Sequence, residues 1–212
     1  MVQLIGEDEH IAVVLKPAGM LSEGEGRGSV ITALREMCGT EIYPIHRLDK
    51  ETAGVMVYAK NKKAAAKLSE QVRENKIHKK YYAVLTAVPE LKEATLEDLL
   101  FRDKQKNKTY VVKRMRKGVR DASLSYEIIG TSENLALADI TLKTGRTHQI
   151  RVQFASRKMP LYGDGKYGGG GGKLALFSYS LSFSHPVTGE QMCFTAKPDI
   201  AEYPWNLFEE KI

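Results

Sequence analysis

This 212-residue chain has two cysteines, Cys38 and Cys193, one tryptophan and seven prolines. Two distant cysteines make neither a disulfide framework nor a CxxC metal site, so a reducing compartment is expected. Five histidines stand singly, with no pair at zinc-ligand spacing. No apolar run approaches the ~18 residues of a membrane span. The first ten residues, MVQLIGEDEH, are acidic where a secretory leader is basic. The glycine-rich stretch 168–172 lacks the lysine and hydroxyl residue of a phosphate-binding loop. The expectation is a cytoplasmic protein with no membrane association, no metal and no cofactor.

What is present is a core and an excess of positive charge. Hydrophobic residues make up 42% of the chain, enough to exclude global disorder, and the net charge is +6. The excess is concentrated. Residues 102–120 hold nine Lys or Arg and one acid, Asp103. A run so lopsided repels itself unless it meets an anion, so Lys113, Arg114, Arg116 and Lys117 are candidate phosphate contacts.

The local patterns alternate strands with a few helices. Ile11–Leu15 is an apolar, β-branched run stopped by Lys16-Pro17-Ala18-Gly19, hence a buried strand and a turn. Ser29 is placed to N-cap a helix to about Cys38, with Val30, Ala33, Leu34 and Met37 on one face. Asn61 caps a second helix over about 62–74, with Ala65, Leu68 and Val72 inward. Tyr81–Val88 reads as a strand halted by Pro89. Tyr110–Val112 marks a hairpin within the basic segment. Strands follow at Ser123–Ile129, Leu135–Leu142 and Leu174–Phe183, and a hairpin turn at His185–Gly189. Residues 147–156 suit a helix or a strand, and 163–172 a flexible loop. With no repeat, linker or break in composition, one α+β domain over 1–212 is expected.

Three segments point to chemistry. His46-Arg47-Leu48-Asp49-Lys50-Glu51-Thr52-Ala53-Gly54 sets Asp49 two residues after an arginine, just before the apolar run Val55–Ala59. A nearby guanidinium favours a charged carboxylate, and burial strips its water, so Asp49 is a candidate reactive group. Gly145-Arg146-Thr147-His148-Gln149-Ile150-Arg151 packs planar donors around one apolar residue, and arginine grips carboxylate or phosphate through two bonds at once. Lys79-Lys80-Tyr81-Tyr82 puts cations beside aromatics, which suits a stacked base and its phosphate.

These segments resemble the RluA family of pseudouridine synthases, in order and along almost the whole chain. Val13-Val14-Leu15-Lys16-Pro17-Ala18-Gly19-Met20 is similar to the family's opening strand and turn. His46–Gly54 resembles its HRLDxxTSG signature. Lys79–Ala83 matches KxYxA, and Thr144–Val152 matches TGRTHQIRV. Leu161–Asp164 with Tyr167-Gly168 resembles GD..YG, and Phe183–Glu190 resembles the closing F.HP.TGE hairpin. Ala53 replaces the usual Ser, Gln153 stands where His is frequent, and Ser178-Tyr179 sits where His-Ala is common. These departures bear on substrate shape more than on activity.

The resemblance implies the pseudouridine synthase catalytic fold, a mixed and mostly antiparallel sheet flanked by helices and loops. It implies an isomerase that acts on uridine in structured ribosomal or transfer RNA without a cofactor. Asp49 aligns with the catalytic aspartate and Arg151 with the arginine that pairs with it. Tyr81 aligns with the tyrosine against the target base, Arg47 with the arginine that helps fill the space of the flipped nucleotide, and Ile150 with an apolar pocket residue. Arg146 joins them as an RNA-binding candidate. The first motif begins near residue 11, so the N-terminal S4-type module of many relatives is expected to be missing. A monomer with no obligate protein partner is expected. Replacing Arg151 is expected to lower activity with little effect on stability. The rival is a non-catalytic RNA-binding protein or chaperone on the same scaffold, against which the intact Asp49, Tyr81 and Arg151 set argues.

Overall fold

The computed structural model describes residues Met1–Ile212. In chain order the elements are β1 Gln3–Glu7, β2 Ile11–Lys16, α1 Val30–Cys38, β3 Tyr43–Pro44, β4 Ala53–Ala59, α2 Lys62–Arg73, β5 His78–Leu85 and β6 Glu93–Asp103. Then come β7 Lys108–Val112, β8 Val119–Ser132, β9 Leu135–Leu142, α3 Gln149–Ala155, β10 Leu176–Ser184 and β11 Gln191–Thr195, with a 3-10 segment Trp205–Lys211. They gather into two compact units. One holds Met1–Lys79 and Phe177–Pro198, the other Lys80–Leu176 and Asp199–Ile212. No helix is long and apolar enough to cross a membrane.

In the first unit the strands run β1-β2-β4-β10, with β11 on β10 and β3 on β4. All pair antiparallel except β4 with β10, which run parallel through Ala53–Phe177 and Gly54–Ser178. β2 and β4 read as unbroken apolar runs because both sheet faces are covered. Val13 faces Val57 and Ile11 faces Ala59, on the side where Ala64 and Leu68 of α2 pack. Ala12 with Tyr58 and Val14 with Met56 fill the opposite side, also buried. Ser29 and Asn61 cap α1 and α2 through bonds to Ile31 N and Ala64 N. In α1 the buried face is Val30, Ile31 and Leu34, while Met37 is exposed. The buried arc therefore stops a turn short of the expected one.

In the second unit the order is β5-β9-β8-β6-β7. β9, β8, β6 and β7 pair antiparallel. Val152 of α3 packs on Leu100, Ala122 and Val111, and Phe154 meets the edge of Tyr126 at 5.3 Å between ring centroids. The 3-10 segment seats Phe208 against Gly130, where a Cβ would lie 3.1 Å from the ring.

The structure departs from the sequence reading in several places and decides one open choice. β6 was not foreseen, because its register is carried by two buried leucines, Leu96 and Leu100, among exposed acids. β5 ends at Leu85 rather than at Pro89, since Thr86 turns to Pro160 O through both its backbone N (2.9 Å) and its hydroxyl (2.9 Å). Residues 149–155 are helical. The 163–172 segment is a tightly tied loop. Gly163 N donates to Gly169 O at 2.9 Å, and a Cβ on Gly169 would lie 1.7 Å from Leu161 O, so only glycine permits that approach.

Candidate active site

Asp49 sits in a turn closed by Thr52 N to Asp49 O at 3.0 Å, between buried Leu48 and exposed Lys50. Its own residue is half-buried. The backbone on both sides is clamped from below. Ser22 Oγ donates to Leu48 O at 2.8 Å, and Lys16 Nζ donates to Lys50 O at 3.0 Å. Lys16 also donates to Pro17 O (2.9 Å) and Met20 O (2.8 Å). Three ammonium protons thus meet three carbonyls, which lets a lysine be fully buried. Burial pulls its pKa down to about 8, opposed by the charges of Glu51 and Asp49, so it stays cationic at neutral pH.

His46 anchors the start of the loop. Its Nε2 accepts from Val57 N of β4 at 3.3 Å, which assigns the ring proton to Nδ1. The ring is buried, and burial together with the nearby Lys79 charge pushes its pKa down to about 3. Tyr58, next on β4, bonds Ser22 O at 2.9 Å, and burial raises its phenol pKa. At the end of the loop Gly54 has φ +133°, and a Cβ there would lie 2.3 Å from Ser178 O. The glycine that closes the signature is required by the parallel contact with β10. Arg47 projects outward and pairs with Glu23 at 3.7 Å, both side chains about half exposed.

In the second unit, the turn before α3 carries the other candidates. Gln149 is buried and ties the turn to β8. Its Oε1 accepts from Thr144 Oγ1 (2.8 Å) and Arg146 N (3.0 Å), and its Nε2 donates to Ser123 O (3.1 Å). His148 takes the left-handed conformation, φ 54°, to start the helix. Arg146 bonds Asp121 O through Nε at 2.8 Å. Ile150 is buried.

Arg151 is also buried, and Asp164 grips it with two bonds, Nε to Oδ2 at 2.7 Å and Nη2 to Oδ1 at 2.8 Å. Asp164 Oδ1 further accepts from Lys166 N and Tyr167 N. The guanidinium plane is therefore fixed before any substrate arrives. Asp164, the residue that holds Arg151, is not singled out by the sequence reading. The signal was its lone acid among the glycines of 163–172. The Tyr167 ring lies 5.3 Å from the Arg151 guanidinium carbon, and its hydroxyl meets His148 Nδ1 at 3.0 Å and Thr109 N at 2.9 Å.

Tyr81 lies on β5 and is buried. Lys113, Arg114, Arg116 and Lys117 share one exposed loop between β7 and β8. The structure thus groups Arg47 with Asp49 in one turn, Arg146 with Ile150 and Arg151 in another, and the four cations in a third.

The geometry meets a family pattern at this point. A model of the RNA pseudouridylate synthases matches residues 10–156, from β2 into the end of α3. The chain belongs to the RNA pseudouridylate synthase family. It is an enzyme of the isomerase type acting on RNA. It is 34% identical to an uncharacterised RNA pseudouridine synthase of Aquifex aeolicus, over 99% of this chain and 73% of that one. It is 32% identical to the ribosomal large subunit pseudouridine synthase D of Zymomonas mobilis, over 92% and 68%. It is 31% identical to the tRNA pseudouridine synthase C of Yersinia pestis, over 97% and 89%. Its fold is similar to that of human RNA pseudouridylate synthase domain containing 4, with a TM-score of 0.78, 24% identity, and 93% and 89% of the chains covered. The mostly antiparallel α+β class agrees with that likeness.

Proposed function

We propose that this pseudouridine synthase isomerises particular uridines of a structured ribosomal or transfer RNA, with Asp49 as the reacting carboxylate. The observation that carries the reading is the bracketed turn, in which the carbonyls on both sides of Asp49 are held by Ser22 and Lys16. A carboxylate fixed in place needs little reorganisation during reaction. The glycosidic bond from N1 to C1′ breaks, the uracil turns, and C5 bonds to C1′. A proton leaves C5 and N1 gains one. The steps balance without an oxidant or reductant. Asp49 acts by attack on the sugar, attack on the base, or removal of a ribose proton.

Arg151 acts on the RNA substrate, and its orientation preset by Asp164 supports that role. Tyr81 and Ile150 line the base, Arg47 supports the flipped-out state, and Arg146 holds backbone. Extrusion of the base costs a few kcal/mol. Phosphate contacts from Lys113, Arg114, Arg116 and Lys117 offset that cost. The protein works as a cytoplasmic monomer.

The test uses RNA carrying tritium at C5 of uridine. Wild type releases tritium as the C5–C1′ bond forms. Asp49→Asn releases none and still binds the RNA. Release by Asp49→Asn at a rate near wild type would sink the assignment.

A further inference from the structure

Cations and aromatic rings alternate from Arg151 outward. The Arg151 guanidinium lies 5.3 Å from the Tyr167 ring. Lys108 Nζ lies 5.1 Å from that ring and 5.9 Å from the ring of Tyr110. Tyr110 pairs across β7 and β6 with Phe101, so the two side chains share one sheet face. The Arg116 guanidinium lies 5.0 Å from the Phe101 ring. Each cation is within cation–π reach of its ring. The series ends in the loop 113–118, every residue of which is exposed, including Met115 at 62%.

This face is not core. Thr109 and Val111 point to the other side, where Val111 and Tyr167 pack with Leu100, Ala122 and Val152, so this face itself carries Lys108, Tyr110, Phe101 and Arg116. Tyr110 is 37% exposed although it stands on a paired strand. No ion pair joins Lys108 or Arg116 to a carboxylate; Arg116 is exposed and Lys108 partly so. Surface aromatics interleaved with unpaired cations suit a nucleic acid whose base faces are open. A paired A-form helix hides those faces and presents phosphates, 2′-hydroxyls and base edges instead.

We infer that the β6–β7 face, through Tyr110 and Phe101 with Lys108 and Arg116, is a stacking track for unpaired nucleotides of the substrate RNA. This rests on the RNA-modifying reading and adds to it. The enzyme then prefers targets with a single-stranded arm beside the modified uridine. Lys108 and Arg116 hold phosphates between the stacked bases.

The test is fluorescence anisotropy of the full chain with two labelled probes, an unstructured RNA of about 12 nucleotides and a blunt duplex of equal length. Tyr110→Ala is expected to weaken single-strand binding at least about 10-fold, while Tyr110→Phe keeps it. Duplex affinity stays within about 2-fold for both variants, because phosphate contacts are untouched. If Tyr110→Ala lowers the melting temperature, Tyr110→Leu, which keeps the bulk without the π face, gives the same comparison. Unchanged single-strand binding, or equal loss for both probes, overturns the track. Tritium release by wild type is measured in parallel. Release with an unchanged Tyr110→Ala affinity sinks the track alone, whereas no release from any RNA sinks the catalytic reading and leaves the track standing on its binding ratio.

Discussion

Arg151 and Asp164 show how burial changes the meaning of a residue. The sequence presents Arg151 as a site residue removable at little structural cost. The structure corrects this, since the Asp164 side chain is fully buried and spends both oxygens on the guanidinium. Arg151→Ala leaves a buried carboxylate without its partner, which costs roughly 3–5 kcal/mol. Arg151→Met together with Asp164→Leu is expected to recover most of that stability but none of the turnover. Urea titration beside the tritium assay separates the two effects, and recovery of turnover in the double variant would remove Arg151 from the chemistry. His46 makes a second residue-scale case. Its ordinary pKa of 6.5 falls to about 3 in the folded chain. Above pH ~6.5 neither state takes the proton and His46 adds no pH dependence. Between about 6.5 and 3 only the unfolded chain is protonated, so stability falls with falling pH, by roughly 1.4 kcal/mol per unit at the steepest. His46→Asn is expected to flatten that limb of a pH-stability profile. An identical slope in wild type and variant counts against the buried neutral ring.

At the scale of elements, the Asp49 turn is supported by parts far apart in sequence. β2 brings Lys16, the loop before α1 brings Ser22, and β10 brings the backbone that Gly54 touches. Gly54→Ala forces a Cβ to 2.3 Å from Ser178 O at a φ that suits only glycine. Strand β4 or β10 must shift, and the first casualty is the turn between them and Asp49. The expected result is a loss of stability above about 3 kcal/mol and no detectable turnover. A Gly54→Ala protein that melts like wild type would show that the β4–β10 contact is looser than a 2.3 Å approach implies. Capping was legible at this scale. Ser29 and Asn61 were readable because a cap depends on a hydroxyl or amide and the next three residues. The extent of β5 and the existence of β6 were not. Their ends are set by Pro160 and by pairing with β7 and β8, none of which is local.

For the molecule as a whole, charge placement governs the encounter with RNA. The cations of the 113–118 loop have no acidic partner, so a polyanion releases its counterions on meeting them. Neutralising Lys113, Arg114, Arg116 and Lys117 together with Gln is expected to weaken RNA binding and reduce the slope of log affinity against log salt by roughly 3. A slope unchanged between wild type and variant would place the phosphates elsewhere.

The sequence by itself determined the family, the candidate carboxylate Asp49 and the basic segment. These are carried by residue types at short fixed spacings, and local spacing survives without coordinates. It also showed the α+β class, because period-two apolar runs and capped periodic helices are local patterns. Only the tertiary structure decided that Lys16 and Ser22 brace the carbonyls beside Asp49, that Asp164 orients Arg151, and that rings and cations align from Arg151 to Arg116. Those facts depend on which backbone groups meet after distant strands pair, and on which side chains lose water in the process. Neither is written in the spacing of neighbours along the chain.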